Sequence, residues 1–154
     1  MKKIAVLILI LSCVGVGISL YLYLMRIEAV SSAVCQVDAV FDCMTVDKSP
    51  YAVTFGIPNS ILGMVGYGLM ALGALWKIFD KKEDRGIDWF LLLVTLGGLG
   101  FSLYLTSIEA FVLHAWCIFC VASQVVMLAI FALTLVVFFN GKERIGESSE
   151  LKPE

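Results

Sequence analysis

The sequence predicts an all-α integral membrane protein, a bundle of four transmembrane helices with a long exocytoplasmic loop between the first and second. Three observations predict it. Of the 154 residues, 60% are hydrophobic and the mean hydropathy is +0.96, too apolar for a soluble core under a wet surface. Four apolar runs approach or reach the roughly 20 residues that a bilayer core requires. Lysine and arginine gather at the ends of these runs, and a net charge of −2 gives no footing for nucleic acid.

The first run, Ile4 to Met25, follows Lys2 and Lys3. It has the look of a cleaved signal, with Ser31-Ser32-Ala33 as a tolerable cleavage site, and Ile10-Leu11-Ser12-Cys13 faintly resembles a lipoprotein processing site. The apolar stretch is too long for either, so the helix is expected to be retained. The second run, Ile61 to about Leu75, is extended by Trp76 and Phe79, and the third is Trp89 to Ile108. Glycines 63, 66, 68 and 73 in the second and 97, 98 and 100 in the third predict close helix packing. Asp80 to Asp88 is a charged turn, which makes these two helices an antiparallel hairpin. The fourth run starts near Ala115 and ends near Phe139. Residues 1–140 thus form the membrane domain, with loop 26–60, and the polar tail Gly141 to Glu154 needs no fixed structure.

Orientation follows from the short flanks. Lys2 and Lys3, then Lys77, Lys81, Lys82 and Arg85, then Lys142, Arg144 and Lys152 mark one side. Loop 26–60 holds only Arg26 and Lys48 against Glu28, Asp38, Asp42 and Asp47. Both termini are therefore expected in the cytoplasm, with Cys35, Cys43, Cys117 and Cys120 outside, where disulfides persist. A bacterial inner membrane fits this arrangement.

Cys117-Ile118-Phe119-Cys120 is a C-x-x-C pair at the head of the fourth helix. Such a pair can close a disulfide across one turn, and a helix N-terminus stabilises a thiolate at the first cysteine. C-x-x-C is also half of many zinc sites, and cysteine packs as a small hydrophobe. Zinc usually takes a second close pair, whereas seven residues separate Cys35 from Cys43, so no metal is expected. Two thiol pairs within reach can pass electrons through a mixed disulfide. A soluble dithiol protein would meet the loop pair, and Cys117-Cys120 would discharge at the membrane boundary. Keeping an oxidant of about −120 mV in its disulfide form needs a more positive acceptor, such as a lipid quinone.

This constellation resembles the vitamin K epoxide reductase family, including its bacterial quinone-linked members that drive disulfide formation. The marks are the Cys35 and Cys43 pair, Ser49 six residues on, Pro58-Asn59-Ser60 leading into a glycine-rich helix, and Cys117-x-x-Cys120. The resemblance implies a membrane thiol–disulfide oxidoreductase. Cys117 and Cys120 would be the active pair, Cys120 nearest the quinone (ubiquinone, menaquinone or similar), and Cys43 and Cys35 the shuttle to a separate thioredoxin-like or DsbA-like exocytoplasmic protein. Ser49 and Asn59 match residues of the quinone pocket, although Asn59 also suits a helix cap. Gln124, a third candidate for the quinone pocket, stands where vertebrate members carry tyrosine; it can still hydrogen-bond a carbonyl but lacks the ring, which puts epoxide reduction in doubt. The alternatives are a vertebrate-type epoxide and quinone reductase, and a non-enzymatic membrane subunit with structural disulfides.

Other residues carry weaker signals. Cys13, on the cytoplasmic side of the first helix, reads as packing. His114 needs no role, although a nearby imidazolium could favour a thiolate. Glu28 and Glu109, at outer helix ends, read as interfacial anchors rather than proton relays, although ionisable groups at membrane depth are functional by default. Ser19-Leu20-Tyr21-Leu22 with Ile27-Glu28-Ala29 matches Ser102-Leu103-Tyr104-Leu105 with Ile108-Glu109-Ala110. This similarity would relate helices one and two to helices three and four as repeated hairpins.

Overall fold

A computed structural model describes residues 2–31, 36–38, 41–79 and 85–150, with side chains described except at 36–38, 41–42 and 141–150. Four helices are long and apolar enough to cross a membrane. They are α1 (Lys2–Arg26), α3 (Asn59–Phe79), α4 (Arg85–Ile108) and α5 (Ile118–Glu150). Between α1 and α3 the chain forms an antiparallel pair of short strands, β1 (Gln36–Asp38) and β2 (Phe41–Asp42), and a short helix α2 (Cys43–Lys48). A 3-10 turn (Pro50–Ala52) and a second antiparallel strand pair, β3 (Val53–Thr54) and β4 (Ile57–Pro58), complete the connection.

Helix α1 packs most extensively on α3, and α4 on α5. The bundle core is Ile8, Tyr67, Met70, Ala74, Met127, Ile130 and Val137. Close approach depends on particular glycines. A Cβ at Gly15 would lie 2.4 Å from the Tyr67 ring, one at Gly63 2.7 Å from Ser19 Oγ, and one at Gly98 2.7 Å from Met127 Cε. Gly66, Gly68, Gly97 and Gly100 would meet nothing within 4 Å, so only some of the predicted packing glycines are contacts. Large side chains such as Leu72, Trp76, Leu93 and Val125 face outward, as lipid-facing positions of a spanning helix must.

The helix ends identify two poles. At one, Met25, Cys43 and Cys117 form a buried cluster that joins the end of α1, the start of α2 and the entry to α5. At the other, Lys77 of α3 and Asp88 of α4 form a buried ion pair, Nζ to Oδ1 2.7 Å, outside hydrogen-bond geometry. Lys77 is therefore neutralised by a partner, unlike the free flank charge counted from sequence. Arg85 stays exposed, and Lys81 and Lys82 lie outside the described residues.

Two features differ from the sequence expectation. The α5 helix continues through Glu150, because Lys, Glu and Arg after Gly141 are good helix formers and propagation from an existing helix is cheap. The third span does not stop at Ile108 but passes into a π-helical turn, Glu109–Leu113, which His114 ends in a left-handed conformation with φ 47°.

Candidate functional site

The site lies at the cysteine pole, and the local backbone explains its shape. Cys117 immediately precedes α5 and occupies its N-cap position. Its carbonyl accepts the Val121 N–H at 2.9 Å, and its Sγ accepts the Cys120 N–H at 3.3 Å. Sulfur thus stands where a capping oxygen normally does, facing the positive end of the helix. Cys117 is 1% exposed. Cys117 and Cys120 are free thiols, whereas Cys43 is disulfide-bonded. Cys35, its expected partner, lies outside the described residues.

Cys43 opens α2 and is fully buried against Cys117 and Met25, with Tyr21, Leu22, Met44 and Phe119 around them. The Tyr21 and Phe119 rings pack at 4.9 Å between centroids. Arg26, the last residue of α1, holds α2 in this seat by donating to the Asp47 carbonyl at 2.6 Å and to its carboxylate at 3.3 Å. Burial raises the Asp47 pKa above the ordinary carboxylate value, and the Arg26 guanidinium only partly opposes it.

Two adjoining cavities meet at Cys120. The outer one, about 70 Å³, is lined by Cys43, Asp47, Ser49, Tyr51 and Cys117 among others. The inner one, about 140 Å³, extends between the helices to Tyr67, Met70, Ser123 and Met127. Leu22, Asn59, Ser60, Leu105, Glu109 and Cys120 line both. Gly66, open in front of its Cα, helps to keep the inner space clear. Tyr67 closes the deep end, its hydroxyl 2.9 Å from the Ser123 carbonyl and 2.8 Å from Ser123 Oγ.

The residues singled out from sequence are placed unequally. Cys43, Cys117 and Cys120 converge. Ser49 lines the outer cavity, but its hydroxyl donates to the Val46 carbonyl at 2.7 Å. Asn59 lines both cavities, but its amide donates to the Tyr51 carbonyl at 2.8 Å and accepts from Thr54 Oγ1 at 2.7 Å, bracing the loop against α3. Gln124 lines neither cavity, and its oxygen accepts a hydrogen bond from Ser102 between α4 and α5. Cys13 is exposed on α1, away from the site, and His114 is exposed.

The reading of Glu109 from sequence is corrected by the structure. Far from being an interfacial anchor, it is 4% exposed, accepts the Cys117 N–H at 3.2 Å and lines both cavities with Cys120. The available signal was a carboxylate in an apolar run eight residues before the C-x-x-C pair.

Compared with known families, the chain matches the model of the vitamin K epoxide reductase family over residues 6–135. A search of curated proteins finds no match.

Proposed function

The chain belongs to the vitamin K epoxide reductase family, and on that premise we propose that it is a bacterial-type membrane oxidoreductase that drives disulfide formation. It takes electrons from a separate thioredoxin-like exocytoplasmic dithiol protein into the Cys35 and Cys43 pair. Cys43 passes them to Cys117, and the Cys117-Cys120 pair delivers them to a lipid quinone. The observation that carries this reading is the burial of Cys43 against Cys117 in one cluster, with Cys120 at the junction of both cavities. Exchange needs a thiolate aimed at a disulfide sulfur, and a disulfide-bonded Cys43 beside the free Cys117 and Cys120 thiols is the state reached once the loop pair has handed its electrons on, before they leave for the quinone.

The inner cavity suits a quinone ring chemically. Its walls are largely apolar, and among them the Ser60 hydroxyl is buried without a hydrogen-bond partner among the described residues, the pattern of a site for a flat apolar molecule with a few polar atoms. A bound quinone supplies one thing, the capacity to accept two electrons and two protons. The chain supplies the rest: Cys120 borders the cavity, Cys117 is held at the α5 N-terminus, and Asn59 and Arg26 keep the loop closed over both. Ser49 and Asn59 act chiefly by seating the loop, and Gln124 acts indirectly by positioning α5 against α4.

The test is dithiol-dependent quinone reduction by purified protein in detergent. Cys117→Ser and Cys120→Ser should abolish it with either dithiothreitol or a protein partner as donor. Cys35→Ser and Cys43→Ser should abolish only oxidation of the protein partner, because a small dithiol reaches Cys117-Cys120 directly, and Cys13→Ser should change neither. Normal oxidation of a protein partner by the loop variants would reduce the loop disulfide to a staple and refute the relay.

A further inference from the structure

The cysteine relay leaves one buried group unused. Glu109 is the first residue of the π turn, and π turns recur at functional sites because they redirect a side chain without ending the helix. Here the turn aims the carboxylate at the C-x-x-C pair: it accepts the Cys117 N–H at 3.2 Å and shares the lining of both cavities with Cys120. Among the described residues lining either cavity, Asp47 and Glu109 are the carboxylates, and only Glu109 lines both. Asp47 is held by Arg26 and confined to the outer cavity. A neutral glutamine would satisfy the Cys117 N–H equally well and would avoid burying an ionisable group, which is costly in an apolar setting. The acid is explained by a proton.

Resting on the quinone reduction proposed above, we infer that Glu109 is a catalytic residue that carries a proton between Cys120 and the quinone. The overall step converts the Cys117-Cys120 dithiol and a quinone into a disulfide and a quinol. Two S–H bonds break, one S–S bond and two O–H bonds form, and two electrons pass from sulfur to the quinone. Glu109 takes the proton of Cys120 as its sulfur gives up electrons, and returns it to the quinol oxygen in the inner cavity. The proton of Cys117 is released to water through the outer cavity, and an equivalent one from water completes the quinol. With quinone present Glu109 ends the cycle as it began; with none to receive the proton, it keeps it beside the disulfide.

Glu109→Gln separates proton transfer from positioning, because it keeps an acceptor oxygen for the Cys117 N–H and loses the titratable group. Quinone reduction with dithiothreitol should fall about 100-fold or more, the scale of a lost general acid–base group, with the quinone KM little changed. Glu109→Asp should recover part of the rate. A second readout needs no quinone. The infrared difference spectrum between dithiol and disulfide forms of the purified protein should contain a carboxyl C=O band that Glu109→Gln removes. Wild-type rates in Glu109→Gln, or a slow Glu109→Leu beside a normal Glu109→Gln, would overturn the inference by leaving only a positioning role. If the wild-type protein reduces no quinone, the proposed function fails, and the infrared band still decides whether Glu109 exchanges a proton with the pair; identical spectra in wild type and Glu109→Gln would refute it.

Discussion

The two copies of the internal repeat behave alike for eight residues and then part. Gly15-Val16-Gly17-Ile18-Ser19-Leu20-Tyr21-Leu22 in α1 matches Gly98-Leu99-Gly100-Phe101-Ser102-Leu103-Tyr104-Leu105 in α4. In both, the first glycine lies under a neighbouring side chain and the second faces open space. In both, the serine lines the inner cavity. After the leucine, Ile-Glu-Ala follows in each, but two residues later in the first copy, and that offset turns the acidic side chain by about 200° around the helix axis. Glu28 falls just beyond α1 with φ 57°. Its N–H bonds the Met25 carbonyl and the Ala29 N–H bonds the Leu24 carbonyl, the pattern that closes a helix with a left-handed residue. It is exposed, 3.8 Å from Lys48. Glu109 instead continues the helix as a π turn and is buried against Cys117. The same tripeptide is a helix stop in one copy and the buried acid of the site in the other.

The sharpest test of the shared half is at its glycines. Gly15→Ala should destabilise the protein by about 1–3 kcal/mol, because the Cβ meets a ring that cannot swing aside. Gly98→Ala should cost less, since it meets the flexible ends of Met127 and Met70. Gly17→Ala and Gly100→Ala should be neutral or stabilising by up to about 1 kcal/mol. Reversible unfolding in mixed micelles can rank the four, and equal losses at all would dissolve the equivalence of the copies.

The divergent half predicts opposite signs for one substitution. Glu28→Gly should stabilise the protein, by about 1 kcal/mol, since glycine adopts a left-handed terminus without Cβ strain. Glu109→Gly should destabilise it, because it removes the partner of a buried N–H from a continuing helix. The same unfolding experiment reads both, and matching signs would mean that the two ends are not structurally distinct.

The smallest expected effect lies where the first copy hands over to the loop. The Asp47 pKa is raised in the folded protein, chiefly by burial, so folding favours its protonated form. The stability this contributes is fully present below the ordinary value of 3.8 and is lost as pH rises through the higher folded value. Amide exchange protection of residues 43–48, corrected for intrinsic pH dependence, should therefore weaken across that rise. Asp47→Asn, which keeps an acceptor for Arg26, should flatten the dependence. A profile unchanged by Asp47→Asn would place the loop's seat elsewhere.

Much of this architecture is legible in the sequence. The spans follow from apolar run length, because lipid leaves a long apolar segment little choice but helix. Cys117 and Cys120 are legible because their spacing fixes one helical turn, and Cys43 because it stands in a polar loop that must lie near a helix end. The loop's strand pairs and α2 were not legible, since segments of two to six residues carry no useful periodicity. Ser49, Asn59 and Gln124 illustrate the same limit. Residue type permits a hydrogen bond to a ligand, and only the structure shows that the Ser49 hydroxyl also bonds Val46, the Asn59 amide Tyr51 and Thr54, and the Gln124 oxygen Ser102.

By itself, then, the sequence determined how many helices form, roughly where they run, and which thiols could share an end of the bundle, because those properties depend on local composition and spacing. Only the tertiary structure decided which of two identical Ile-Glu-Ala segments is buried beside the thiols. Nor could the sequence show that Lys77 is paired across the hairpin, or that Gly66 opens onto a cavity while Gly15 lies under a ring. Those outcomes depend on helix phase relative to neighbours distant in the chain, and a shift of two residues is enough to exchange solvent for core.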